Sequence, residues 1–321
     1  VVSFRQNLNL RTGITRHELR LRDKKGRTTR IDTERFASIE EPHRAVLAAT
    51  VTPEDYEGKV TIRSALDGTV INYGVERYRD LSRDHLDHVD ASDVESGVHL
   101  AVRTKNSKID IHMVTNTRLF AGDTALAGAQ RTVVTDDRYA AEEWSFDAEE
   151  GTEYRVEKLV GISTSKEYEL EDPDDPARPA YAAVATTDSY AELVQRQRAG
   201  WDELWDRADF VIDGDRFAQE TIRLHIYHLL ATANRNNTKI DAGMTARGLH
   251  GEAYRGHFFW DELFTQPFYN LHFPDVVKGF LMYRYRRLDA AREYAREYGF
   301  RGAMYPWQAA DTGGEEAQEI H

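Results

Sequence analysis

The spacing of apolar residues changes near residue 185, and this change restricts the chain to folds with a β-rich first part and a helical second part. Up to about Val184 the chain runs in short segments rich in β-branched residues, among them Thr15–Arg22, Thr28–Phe36, Lys59–Leu66, Ile109–Thr115, Arg131–Thr135 and Thr152–Ile162. Turn residues punctuate them where hairpins need reversals, as in Asp23-Lys-Lys-Gly26, Tyr56-Glu-Gly58, Asp67-Gly68 and Glu150-Gly151. No helical pattern intervenes to carry a parallel crossover, so the segments predict an antiparallel β-sandwich over residues 1–184.

The stretch Glu169–Pro179 holds three prolines and five acidic residues, a composition that predicts a solvated loop. Beyond it, Ser189 and Glu192 have capping-box spacing, and Leu193, Gln197, Trp201, Leu204, Trp205 and Ala208 form a helical stripe. This predicts a linker helix over Ser189–Arg207, within a helical linker spanning 185–213, with both tryptophans as packing residues. After Asp213-Gly-Asp215, Phe217, Thr221, Leu224, His228 and Ala231 mark one face of a helix. From Pro274 to Tyr298, Val277, Leu281, Arg284, Leu288, Ala291, Ala295 and Tyr298 recur at helical steps, with Gly299 as a stop signal.

Composition removes several function classes. With 55 acidic against 42 basic residues the net charge is -13, which repels a phosphate backbone and argues against nucleic-acid binding. There are no cysteines, hence no disulfide, thiolate metal site or cysteine nucleophile. No run approaches the roughly 18 apolar residues of a membrane helix, and the first residues carry no basic leader with an apolar core, so a cytoplasmic chain that addresses no membrane is expected. The chain opens Val1-Val-Ser-Phe4 without Met and ends Glu319-Ile-His321 soon after a glycine-rich loop, and both ends are expected to be cut. The Gly-x-Ser-x-Gly, P-loop and His-Glu-x-x-His motifs are absent. His225 and His228 lack a carboxylate at matching spacing, and a solvated loop accounts for His85, Asp87, His88, Asp90 and Asp93, so no metal or cofactor is expected. Gly248, Gly251 and Gly256 follow no strand and make a weak phosphate cradle.

The segment Arg247-Gly-Leu-His-Gly-Glu-Ala-Tyr-Arg-Gly-His-Phe-Phe-Trp-Asp261 concentrates glycine, charge and aromatic rings. A pyranose presents hydroxyls that want charged partners and a C–H face that wants an aromatic ring, and Trp260 beside Asp261 offers both. A second such loop, Gly302-Ala-Met-Tyr-Pro-Trp-Gln308, follows the later helical stretch. Candidate substrate-binding residues are therefore Trp260, Asp261, His257, Tyr305 and Trp307. Inverting cleavage of a glycoside needs a carboxylic acid and a nucleophile on opposite faces of the bond, and Asp261, Glu262, Glu315 and Glu316 are eligible by type. Asp261 suits gripping hydroxyls and orienting the ring; Glu315 and Glu316 either line the acceptor side or are surface charge.

These motifs resemble a known family. The run Ala246–Glu262, then Tyr283-Arg-Tyr-Arg-Arg-Leu-Asp-Ala-Ala-Arg292, Gly302-Ala-Met-Tyr-Pro-Trp307 and Gly314-Glu-Glu316, is similar in order and spacing to glycoside hydrolase family 65, which holds maltose, trehalose and kojibiose phosphorylases and some hydrolases such as acid trehalases. Leu10-Arg-Thr-Gly-Ile-Thr-Arg16, Arg35-Phe-Ala-Ser38 and Leu66-Asp-Gly-Thr-Val-Ile-Asn72 resemble strands of its sandwich, and Trp201–Trp205 its linker helix. The resemblance implies a multidomain α and β chain: an N-terminal antiparallel β-sandwich lacking its first strands, a linker helix, and over 214–321 the first part of an (α/α)6 barrel. It also implies that Trp260 and Asp261 belong to the pocket for the transferred glucose.

The family's general acid lies in a Gly-Pro-Asp-Glu-Tyr motif that these residues do not contain, so no catalytic residue is assigned in this chain and a glutamic acid is expected downstream of His321. The expected reaction is inverting phosphorolysis of an α-glucosidic disaccharide to β-glucose 1-phosphate and a free sugar, with inorganic phosphate as co-substrate. One alternative is an inverting hydrolase of trehalase or kojibiose hydrolase type that uses water, and another is a non-catalytic carbohydrate-binding fragment. A homodimer is a further expectation from the resemblance.

Overall fold

Strand residues Gly97–Thr104 are buried at six consecutive positions, a pattern that arises when both faces of a strand are covered rather than one. The structure, a computed structural model, describes residues 1–72, 82–167, 172, 174–246, 254–258, 260–310 and 312–317. The strands are β1 (Ser3–Asn9), β2 (Ile14–Arg22), β3 (Thr28–Ala37), β4 (Arg44–Pro53), β5 (Gly58–Asp67), β6 (Leu86–Val94), β7 (Gly97–Thr104), β8 (Asp110–Ala121), β9 (Thr124–Ala125), β10 (Gln130–Asp136), β11 (Tyr139–Ala148) and β12 (Tyr154–Thr164). One nine-stranded sheet runs β1-β2-β3-β4-β12-β8-β7-β6, with β9 beside β8; a three-stranded sheet runs β10-β11-β5. The paired strands are antiparallel.

The large sheet packs on both sides. Leu66, Val98, Leu100, Val102 and Ala140 fill one layer, in which the small sheet contributes Leu66 and Ala140. Its other face meets helices α1 (Arg178–Val184) and α2 (Tyr190–Ala208) through Phe36, Val46, Val114, Leu159, Ala180, Val184 and Leu193. Gly161 is required at this contact, because a Cβ there would run into the Ala180 carbonyl. Ser189 and Glu192 form the expected capping box: the Glu192 Oε2 accepts the Ser189 N–H at 2.8 Å, and the Ser189 Oγ accepts the Glu192 N–H at 3.3 Å. The chain divides into two compact units, Val1–Ile71 with Asp84–Ser165 and Glu171–Glu203, and Asn72–Arg83 with Lys166–Leu170 and Leu204–His321.

The second unit contains α3 (Arg216–Thr232), α4 (Glu262–His272), α5 (Pro274–Arg286) and α6 (Leu288–Glu297). Asp215 caps α3 by accepting the Ala218 N–H at 2.9 Å.

Three local expectations need correction. Most of the His85–Asp93 stretch is not a loop but edge strand β6, whose polar side chains have partners: Asp93 with Arg131, Asp90 with His99, and His88 accepting the Arg138 N–H. The single periodic stretch from Pro274 breaks into α5 and α6 at Arg287 (φ -106°, ψ 13°), where the guanidinium is drawn onto Asp241 and over the Tyr283 ring. Residues Arg178–Val184 form a helix, with Pro179 in its first turn, where a missing N–H costs no helical bond.

Candidate functional site

The site is assembled around the main chain of Phe258, which forms isolated antiparallel bridges with both Thr245 and Ala309. The Phe258 N–H donates to the Ala309 carbonyl at 2.8 Å and the Ala309 N–H returns to the Phe258 carbonyl at 3.2 Å. This pairing brings the loop after α6 alongside Trp260. The Phe258 ring packs edge-on against Tyr283 of α5, at 5.0 Å between centroids. Of the glycine-rich segment singled out in the sequence, residues 247–253 and 259 lie outside the described residues, as do Gly248 and Gly251.

Trp260 and Trp307 stack with centroids 6.0 Å apart and an interplanar angle of 25°. A sugar held between two rings needs about 3.5–4.0 Å of contact on each side, roughly 7–8 Å in all. The two indoles therefore form a shared shelf rather than a clamp. Both are half-exposed, at 46% and 55%, and Phe264 extends the shelf edge-on from Trp260 at 5.2 Å. Asp261 stands at the head of α4 in helical conformation (φ -55°, ψ -27°), is partly buried, and makes no side-chain cap hydrogen bond.

The other four candidates have internal partners. Glu315 accepts three backbone N–H groups, from Trp307 at 2.7 Å, Gln308 at 3.2 Å and Ala317 at 2.9 Å, so its carboxylate folds the loop that carries Trp307. His257 is buried; its Nδ1 faces the Tyr254 carbonyl at 2.6 Å and its Nε2 faces the Glu316 carboxylate at 2.7 Å. The Tyr305 hydroxyl donates to the Arg284 carbonyl at 3.0 Å. All seven candidates thus fall in one neighbourhood of two loops, with Trp260, Asp261 and Trp307 presented and His257, Tyr305, Glu315 and Glu316 tied to the protein.

Two further carboxylates have internal partners: Glu262, eligible by type in the sequence, and Asp241, which the sequence did not single out. Glu262, buried directly after Asp261, accepts the Met244 N–H at 2.7 Å and Arg284 Nη2 at 3.1 Å. Burial pushes its carboxyl above the usual range, with Arg284 and the Met244 N–H opposing. Asp241 receives Arg287 at 2.9 and 3.0 Å and Arg286 at 3.3 Å. Burial pushes the Asp241 carboxyl up, but the Arg287 and Arg286 guanidinium groups outweigh it and hold it below the usual range. The sequence signal was the Tyr283-Arg-Tyr-Arg-Arg287 run, whose cations need buried anionic partners. Among the described residues no group of three or more His, Asp or Glu side chains could hold a metal ion, and no helix is long and apolar enough to cross a membrane.

Comparison with known proteins identifies the family. The profile of the glycosyl hydrolase family 65 N-terminal domain matches residues 1–204, and that of the family's central catalytic domain matches residues 223–321. An uncharacterized glycosyl hydrolase of Mycobacterium tuberculosis is 37% identical over 321 residues, covering 100% of this chain and 24% of that protein. A kojibiose phosphorylase of Thermoanaerobacter brockii is 34% identical, over 98% of this chain and 41% of the relative. An alpha,alpha-trehalose phosphorylase of the same organism is 27% identical, over 97% and 40%. A solved structure of a human-microbiome protein, provisionally assigned as a kojibiose phosphorylase, superposes with a TM-score of 0.81 at 20% identity, over 98% of this chain and 39% of that one, and so shares its fold. The chain spans between 24% and 41% of the length of these proteins.

Proposed function

The chain belongs to glycosyl hydrolase family 65, and from that premise we propose that the protein cleaves an α-glucosidic disaccharide by inverting phosphorolysis. An oxygen of inorganic phosphate forms a bond to the anomeric carbon, the bond from that carbon to the leaving sugar breaks, and a carboxylic acid delivers its proton to the departing oxygen. The products are β-glucose 1-phosphate and a free sugar. The acid is assigned to a residue outside this sequence, which has no Gly-Pro-Asp-Glu-Tyr motif. The part played here is binding: the Trp260–Trp307 shelf takes the apolar face of the glucosyl unit, and Asp261 takes its hydroxyls.

The observation that carries this reading is the half-exposed indole pair beside Asp261, within the stretch matched to the central catalytic domain. That several relatives are phosphorylases favours phosphate as nucleophile. One relative that matches the whole chain bears the name of a glycosyl hydrolase, which supports water as the second reading. The test is to supply the complete gene product with kojibiose, trehalose or maltose, with and without phosphate, and to follow products by NMR. Phosphate-dependent β-glucose 1-phosphate supports phosphorolysis; free glucose alone, regardless of phosphate, replaces it with hydrolysis.

A further inference from the structure

Asp261 makes no cap hydrogen bond of its own, yet a residue that grips a sugar must be held to within a fraction of an ångström. Its immediate neighbour supplies that constraint. Both carboxylate oxygens of Glu262 are used: Oε1 accepts the Met244 N–H at 2.7 Å and Oε2 accepts Arg284 Nη2 at 3.1 Å. Gly243 makes the close approach possible, since a Cβ there would lie 2.7 Å from Glu262 Oε1. The carbonyl of the same Arg284 receives the Tyr305 hydroxyl at 3.0 Å. One buried carboxylate thus joins the 243–244 segment, the head of α4 and α5, and through α5 it reaches the loop that carries Trp307. Buried ion pairs return little net stability, because desolvating both charges offsets their attraction. A pair in this place is better explained by the geometry it imposes.

Resting on the sugar-gripping role proposed for Asp261, we infer that Glu262 is a positioning residue that acts through Asp261. It touches neither substrate nor phosphate. It fixes the direction in which the Asp261 carboxylate meets the glucosyl hydroxyls, with Arg284 as its counter-charge.

A double-mutant cycle on the complete gene product tests this, with Asp261→Asn, Glu262→Gln and both together, measuring kcat, KM and Tm. Glu262→Gln alone should lower kcat/KM by about 10- to 100-fold, mainly in kcat, as expected for a displaced binding group. In the Asp261→Asn background the same change should cost less than about 3-fold, because the group it positions is gone. Equal losses in both backgrounds would make Glu262 a structural residue and overturn the inference while leaving the sugar grip intact. Full activity in Asp261→Asn would remove the grip itself, and the positioning role with it. If Glu262→Gln fails to fold because Arg284 is left unpaired, Glu262→Gln with Arg284→Met removes both charges and takes its place in the same cycle.

Discussion

Two pairs of tryptophans show how differently a helix and a loop use one residue type. Trp201 and Trp205 on α2 are 4% and 3% exposed, whereas Trp260 and Trp307 are 46% and 55% exposed. The first pair belongs to a regular stripe with Leu193 and Ala208, and the Trp201 ring lies so close to Gly13 that a Cβ there would sit 2.7 Å from its ring nitrogen. The second pair comes from irregular segments about Phe258 and Glu315, where no helical period assigns an inner face. Regular spacing buries an indole as packing. Loop geometry held by a carboxylate and a β-bridge presents it.

The largest effect expected from this contrast is on stability. Trp201→Ala should cost about 3–5 kcal/mol, since it opens a cavity in a packed contact. Denaturant unfolding of the chain measures it, and a loss below about 1 kcal/mol would mean that α2 is not held by this ring. Trp260→Ala or Trp307→Ala should cost less stability, about 1–2 kcal/mol, because half-exposed rings have less burial to lose. Disaccharide affinity of the complete protein should nevertheless fall roughly 10-fold or more, as one stacking face is worth about 1.5–3 kcal/mol of buried area. Unchanged affinity in both variants would end the shelf's proposed role.

Much of the fold was legible because burial imposes a period. The segments read from Thr15, Thr28, Lys59, Arg131 and Thr152 lie within β2, β3, β5 and β10 or overlap β12, and the linker helix differs by one residue at each end. β6 was hidden because an edge strand keeps Asp87, His88, Asp90 and Asp93 near solvent, so its composition reads as a loop. The break at Arg287 was hidden because the helical spacing runs on through it, and the side chain's partner Asp241 lies 46 positions earlier in sequence. Helix α4 contains Pro267, a residue that argues against helix unless its neighbours are known. At the candidate site, ring types and the Trp260–Asp261 adjacency carried the proposed reading. The partners of His257 and Glu315 did not show, since each pairing exists only once a loop has folded back.

The contrast extends to charge, because the sandwich also buries titratable groups. Lys158 donates to the Ala65 carbonyl at 2.6 Å, and burial brings its pKa down to about 8 against the opposing pull of Glu142. An unfolded lysine titrates near 10.4. Between about 8 and 10.4 the unfolded chain therefore binds more protons, and stability should rise with pH across that window. Below the window the cost of the buried cation is fully present. Lys158→Met should raise stability at pH 7 by about 1 kcal/mol, since Glu142 keeps Arg131 and Thr117 as partners. The variant should also flatten the alkaline rise, and an unchanged rise would reassign it to another group.

The smallest effect lies at the row Asp90, His99 and His112 across β6, β7 and β8. His99 Nδ1 faces Asp90 Oδ2 at 3.0 Å, and His99 Nε2 faces His112 Nδ1 at 3.2 Å with the rings nearly parallel at 2°. One proton between the two imidazoles satisfies this contact; a second would set N–H against N–H. Burial, then the charge of His99, lowers the His112 pKa, while Asp110, Asp175 and Asp90 pull it back. Ser92 bonds Asp90, and the Tyr181 ring of α1 packs on His99. An unfolded histidine titrates near 6.5, so below that pH the unfolded chain takes up the proton that the folded one resists. Stability should fall as pH drops from 6.5 through the lowered folded value and be flat with respect to this group above it. In His112→Asn the acid slope of unfolding free energy should be shallower than in the parent. Equal slopes would show that the second proton is accepted without strain, and the packing of α1 over this row would then be indifferent to pH.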